Sequence, residues 1–125
     1  MSGALIDTSV LIAARDETDL PPSAAISVIT LGELIAGVRL ARSAAVRRRR
    51  QEQLDATLVA FSPLPVDDAV AQRYGDLLAH ARSTGRTDKA TDLLIAATAA
   101  ATGRVLHTLD ERQASLARSA GLSVA

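Results

Sequence analysis

Four acidic residues, Asp7, Glu33, Asp92 and Asp110, are set against apolar sequence rather than among basic partners. Asp7 closes the apolar run Ala4-Leu5-Ile6, and Thr8-Ser9 then opens a second run, Val10-Leu11-Ile12. Asp92 precedes an apolar segment that begins Leu93-Leu94-Ile95, and Asp110 follows the stretch ending at His107. Glu33 lies within SVITLGELIAGV; its neighbours three and four residues away on a helix are Ile29, Thr30, Ala36 and Gly37, none of them cationic. A carboxylate facing a packed interior is costly unless a cation neutralises it. Carboxylates that share a pocket also raise one another's pKa. The chain has no cysteine and no histidine cluster, so oxygen-only ligation selects a hard ion, Mg2+ or Mn2+. Such a site suits in-line phosphoryl transfer, in which the metal lowers the pKa of an attacking water and stabilises the leaving oxygen.

Three of these acids also have a plainer reading. Asp7 can be a turn or capping residue. Glu33 completes a capping box with Thr30. Asp92 suits the positive end of the helix it opens, and Asp88, one turn earlier on the same face, makes either a cap partner or a substitute ligand.

Whether the acids meet depends on the elements that carry them. Ala4 to Ile6 reads as a buried strand, followed by a short helix capped by Ser9 or Thr8. A polar loop, Arg15 to Pro22, leads to a strand over Ala24 to Ser27 and a helix starting at Thr30. Leu40 to Leu58 reads as a long polar helix or helical hairpin. Leu58 to Phe61 and Leu64 to Val66 are short apolar pieces around Pro63 and Pro65, either of which suits an edge strand. Asp67 caps a helix through Ala81, and a buried helix follows Asp92 up to Gly103. Arg104 to His107 is a strand, Gln113 to Ala120 a helix, and Leu122 to Val124 a terminal strand. Alternating strands and helices predict an α/β domain with a parallel sheet covered on both faces. In such a sheet, strand carboxyl ends and the following helix starts share one edge. Asp7, Asp92 and Asp110 then converge there, and Glu33 joins them from its helix.

At 125 residues with one Phe, one Tyr and no Trp, the chain predicts one domain with an aliphatic core. The lack of cysteine excludes disulfide scaffolds and thiolate metal sites and fits a reducing cytoplasm. No secretory signal or bilayer-spanning apolar stretch is visible, so no membrane association is expected. Net charge is zero, which removes any global basic signature, but Arg39, Arg42, Arg47, Arg48, Arg49 and Arg50 fall in a region without acids. They suit a solvated face with pairs such as Arg48 to Glu52, or contact with RNA phosphate or an acidic protein.

The segments LIDTSVLI, SVITLGELIAGV, TDLLIAATA and LHTLD, carrying Asp7, Glu33, Asp92 and Asp110, together resemble the PIN-domain ribonucleases, in particular the small VapC-type toxins of type II toxin–antitoxin pairs. The resemblance implies a single PIN domain over residues 1–125, a three-layer α/β/α fold with a central, mainly parallel sheet of four or five strands. It implies an endoribonuclease dependent on Mg2+ or Mn2+ that cuts structured RNA, tRNA or rRNA, by attack of a metal-activated water on a phosphodiester. Asp7, Glu33, Asp92 and Asp110 would be both catalytic residues and metal ligands, supported by hydrogen bonds from Thr8, Ser9 and Thr108. The implied partners are a cognate VapB-type antitoxin and a second copy of the chain, as a homodimer within a heterotetramer or larger assembly. One departure is Gln113-Ala114, where many relatives carry an acid and an aromatic, which leaves that corner to Asp110. The alternative is a PIN-fold protein that binds without catalysis, although all four acidic positions are filled. A phosphoacceptor domain with Asp7 as nucleophile would want a second aspartate at position 9, where this chain has Ser9.

Overall fold

A computed structural model describes residues 3–125; Met1 and Ser2, which begin the stretch read for a secretory signal, lie outside the described residues. The elements in chain order are β1 (Ala4–Ile6), α1 (Thr8–Ala13), β2 (Ala24–Ala25), α2 (Val28–Arg39), α3 (Ala44–Ala60), α4 (Asp68–Ser83), α5 (Ala90–Ala101), β3 (Val105–His107) and α6 (Glu111–Ser119), with a 3-10 turn at Glu17–Asp19.

The sheet is parallel, in the order β2-β1-β3, with Ala4 opposite both Ala24 and Val105. Successive strand side chains point to opposite faces, and β1 uses this to organise both halves of the core. Leu5 enters a cluster with Val70, Leu77, Leu93, Ala96, Leu106 and Leu116, from α4, α5, β3 and α6. Ile6 enters the other, with Leu11, Ile26, Leu34, Val38 and Leu54, drawn largely from α1, α2 and α3. A strand covered on both faces must be apolar throughout, which accounts for the unbroken Ala-Leu-Ile of β1. Helix α5 buries Leu93 and every residue from Ile95 to Ala99, and its alanines bring its backbone close to the sheet. Among the described residues, no helix is long and apolar enough to cross a membrane.

The α/β layering follows the sequence expectation, but the sheet has three strands rather than four or five. Both missing strands are reduced to single parallel bridges, Ser27 with Leu64 and Leu106 with Val124. Leu64 accepts from Val28 N (2.9 Å) and donates to Ile26 O (2.8 Å), but Pro63 and Pro65 on either side have no N–H with which to extend the ladder. At the other edge, Leu122 N–H is taken by Ala117 O at the close of α6 (2.9 Å), so only Ser123 O and Ala125 N reach Leu106.

Three further boundaries differ from expectation. The first helix is capped by Asp7 itself, whose carboxylate accepts from Val10 N, rather than by Thr8 or Ser9. Helix α2 starts under a Ser27 cap, so Thr30 is a buried interior residue and the Thr30–Glu33 capping box does not form. Leu58 to Ala60 are the last turn of α3, not a strand, because nothing there interrupts the helical bonds and Phe61 N still donates to Thr57 O.

Gly3 precedes β1 where the chain passes Ser23, whose φ of 54° lies in the left-handed region. A methyl group at Gly3 would stand 2.2 Å from the Ser23 carbonyl oxygen, so the backbone would have to move. Gly3→Ala is expected to destabilise the fold by about 1–3 kcal/mol, seen as a lower urea midpoint with an unchanged slope.

Candidate active site

The site forms where β1 and β3 end and α1, α5 and α6 begin. Asp7 is 3% exposed, and each of its carboxylate oxygens is engaged. Oδ1 accepts from Ser9 Oγ (2.6 Å) and Val10 N (3.1 Å), and Oδ2 accepts from Thr108 Oγ1. The backbone repeats the link, since Asp7 N donates to His107 O at 3.0 Å. Ser9 Oγ also accepts from Leu109 N, and Thr108 Oγ1 from Asp110 N, both at 3.0 Å. Two hydroxyls thus stitch the end of β3 to the start of α1.

Glu33 reaches this edge from the second turn of α2. Thr8 Oγ1 donates to Glu33 Oε1 at 2.5 Å and stands 3.1 Å from Thr30 Oγ1. Asp92 lies in the first turn of α5, and Asp110 is the N-cap of α6, accepting from the backbone N–H of Arg112 and Gln113. One pocket of about 200 Å³ is lined by all four acids together with Thr8, Ser9, Lys89, Ile95 and Gln113. Thr108 stands behind it, bonded to Asp7. Burial pushes the Asp92 carboxyl above its ordinary value, Asp110 adds to this, Lys89 opposes it, and Glu33 and Asp7 raise it further.

Two residues weighed earlier take other places. Asp88 is not in the pocket: its side chain is 3% exposed and is held by two arginines. Arg86 Nε donates to Asp88 Oδ2 at 3.1 Å and Arg112 Nε to Oδ1 at 3.4 Å. Arg86 also reaches Ser115 Oγ and Arg112 O, so this clasp fastens the α4–α5 loop to α6. Gln113 is buried at the pocket wall, donating through Nε2 to the backbone oxygen of Asp92 at 3.2 Å. Lys89 was not anticipated, although it stands three residues before Asp92 and the spacing that drew notice to Asp88 points to it equally.

The arginine region divides. Arg39 and Arg47 line a groove of about 550 Å³ between α2 and α3 with Ile35, Val38 and Leu54. Arg49 and Arg50 line another of about 380 Å³, whose wall includes Glu33 and so borders the acidic pocket. Arg50 Nη1 donates to Gly37 O at 2.7 Å, tying α3 to α2, while Arg42 and Arg48 are exposed. Among the described residues, none of the six is in an ion pair, including the Arg48–Glu52 pair read from spacing.

The family model for the PIN domain matches residues 4–119. The chain belongs to the PIN-domain family. This PIN domain is 34% identical over 128 residues to ribonuclease VapC5 of Mycobacterium tuberculosis, covering 98% of this chain and 94% of that one. It is 43% identical over 100 residues to ribonuclease VapC8 of the same species, covering 76% and 88%. Among solved structures, the VapBC-5 toxin–antitoxin complex of M. tuberculosis superposes with a TM-score of 0.85 at 35% identity, covering 100% of this chain and 97% of that one. The DNA-bound VapBC of Salmonella typhimurium, at 23% identity and a TM-score of 0.83 over 100% and 98% of the chains, shares the fold.

PIN-domain membership implies a divalent metal, and the pocket's donors can be tested for it. Among the described residues, no group of three acidic or histidine side chains is already placed to hold a metal ion. The donor chemistry nevertheless fits a hard cation: carboxylate, hydroxyl and amide oxygens, with Asp92 pushed toward its neutral form by burial and neighbouring acids.

The Asp88 clasp has its own pH signature. The Arg86 hydrogen bond, outweighing burial, holds the Asp88 carboxyl below its ordinary 3.8. With the folded-state pKa depressed, the unfolded chain binds more protons, so stability rises with pH through that window. Asp88→Asn is expected to lose about 1–2 kcal/mol at pH 7. Its deficit relative to the parent should shrink as pH falls below about 4 and through the depressed pKa. Urea midpoints of both chains from pH 3 to 7 would check this.

Proposed function

We propose that this chain is a metal-dependent endoribonuclease toxin of a type II toxin–antitoxin pair, cutting structured RNA such as tRNA or rRNA in the cytoplasm. The observation that carries the reading is the convergence of Asp7, Glu33, Asp92 and Asp110 on one pocket at the sheet edge. Its relatives named as ribonucleases, and the toxin–antitoxin complexes that share its fold, support the same reading. In it, those four acids would hold Mg2+ or Mn2+, which when bound would supply positive charge to the phosphodiester and lower the pKa of an attacking water.

The chain's own residues do the positioning. Ser9 and Thr108 fix both oxygens of Asp7, and Thr8 fixes Glu33, so neither carboxylate has to find its rotamer when substrate arrives. Gln113 fixes the backbone of Asp92 from the α6 side. A VapB-type antitoxin is the proposed partner, in a heterotetramer or larger assembly built on a homodimer. The grooves lined by Arg39, Arg47, Arg49 and Arg50, with Arg42 and Arg48 exposed beside them, offer positive charge to RNA phosphate or an acidic antitoxin segment.

Asp7→Asn and Asp92→Asn are each expected to lower cleavage of tRNA or rRNA at least a hundredfold in Mg2+ or Mn2+ while leaving the circular dichroism spectrum intact. In chelator at pH 7, Asp92→Asn should melt higher than the parent, because it removes a carboxylate that folding makes harder to ionise. Added Mn2+ should then raise the melting temperature of the parent more than that of the variant. Cleavage that survives both substitutions would overturn the metal-site reading of this pocket, and a parent that binds RNA without cutting it would be a binding-only PIN-fold protein.

Neutralising Arg47, Arg48, Arg49 and Arg50 together to Gln is expected to weaken RNA or antitoxin binding and flatten its salt dependence. Affinities and slopes unchanged from 50 to about 200 mM salt would assign the run to solvated surface.

A further inference from the structure

We propose that Lys89 is the substrate-phosphate contact of the acidic pocket, gripping a non-bridging oxygen of the RNA backbone beside the four acids. This rests on the ribonuclease reading above and extends it to a residue outside the acidic set.

RNA is a polyanion, and the pocket presents it with four carboxylates; among the described residues, Lys89 is the only cationic side chain in its lining. Two neighbouring cations are already committed. Arg86 and Arg112 both close on Asp88, whereas among the described residues Lys89 is in no ion pair. Its backbone is well fixed, since it follows the clasped Asp88 and forms the N-cap of α5 in extended conformation, φ −66° and ψ 139°. A held backbone carrying an exposed four-carbon stem puts the charge in the pocket while leaving the ammonium free to follow a ligand.

Residue type points the same way. Thirteen of the fourteen basic residues are arginine, and the one lysine stands here. A guanidinium fork locks onto carboxylates in two-pronged fashion, as Arg86 does on Asp88. An ammonium is a compact point charge with rotatable donors, which can serve a phosphate oxygen without claiming a carboxylate that the metal needs.

The test compares wild type, Lys89→Met and Lys89→Arg on bulk tRNA or purified ribosomal RNA, at saturating Mn2+ and several salt concentrations. Lys89→Met is expected to raise KM about tenfold, to leave kcat within about threefold, and to reduce the salt slope by about one. Lys89→Arg, which keeps the charge, should recover the salt slope and most of the lost KM at saturating Mn2+, but need more Mn2+ to reach it because its fork competes for a carboxylate. Equal KM and slope in wild type and Lys89→Met would overturn the assignment. So would tighter Mn2+ binding by Lys89→Met with KM unaltered, which is what a lysine acting only as a stand-in cation would give. If wild type itself cuts neither RNA under these conditions, the ribonuclease reading fails and this assignment falls with it; cutting by wild type with indifferent Lys89 variants leaves that reading standing.

Discussion

The buried carboxylate of Asp7 is the constraint on which the rest of the site depends. A carboxyl group at 3% exposure is tolerable only if its oxygens are satisfied, and here the start of α1 and two hydroxyls do so. Those hydroxyls come from opposite ends of the sequence, Ser9 after β1 and Thr108 after β3. Solvating one carboxylate therefore fixes the relative height of two strands and the entry angle of a helix. The next helix along is registered in the same way, because Thr8 takes the carboxylate of Glu33 from α2.

Several of these groups serve both structure and chemistry. Asp7 and Asp110 are helix caps as well as pocket residues, so their geometry is held by helix backbones that the α/β core anchors. Asp92 is different: its backbone oxygen rather than its carboxylate meets Gln113, and burial first, then the neighbouring acids, push its carboxyl above the ordinary value. The pocket thus combines acids held by helix caps and hydroxyls with one whose charged form is disfavoured by burial.

The layered fold and the acidic edge were legible because they follow from period and position. An unbroken apolar β1, an apolar α5, and acids at strand ends are patterns that a sequence displays directly. Less legible was anything decided by side chains meeting across long separations. The spacing that suggested a Thr30–Glu33 capping box was sound local chemistry, but Ser27 offered an earlier cap and Thr8 a better partner for Glu33. Asp88 looked like a ligand candidate because Arg112, one of the two arginines that claim it, lies 24 residues on in α6, while Arg86 stands at a loop spacing that helical periodicity does not flag. The strand count was overestimated for a related reason. Apolar triplets mark where a strand can lie, but ladder length depends on which N–H groups are free.

That scarcity of free N–H groups also bears on how the sheet meets other chains. A parallel sheet of three short strands has two open flanks, and open flanks are templates for foreign β-structure. Here each flank is closed by one residue, Leu64 on one side and Val124 on the other. The prolines around Leu64 deny a newcomer the regular donors it would need to zip along that side. The same irregularity that holds the sheet to three strands therefore works as protection against edge-to-edge aggregation.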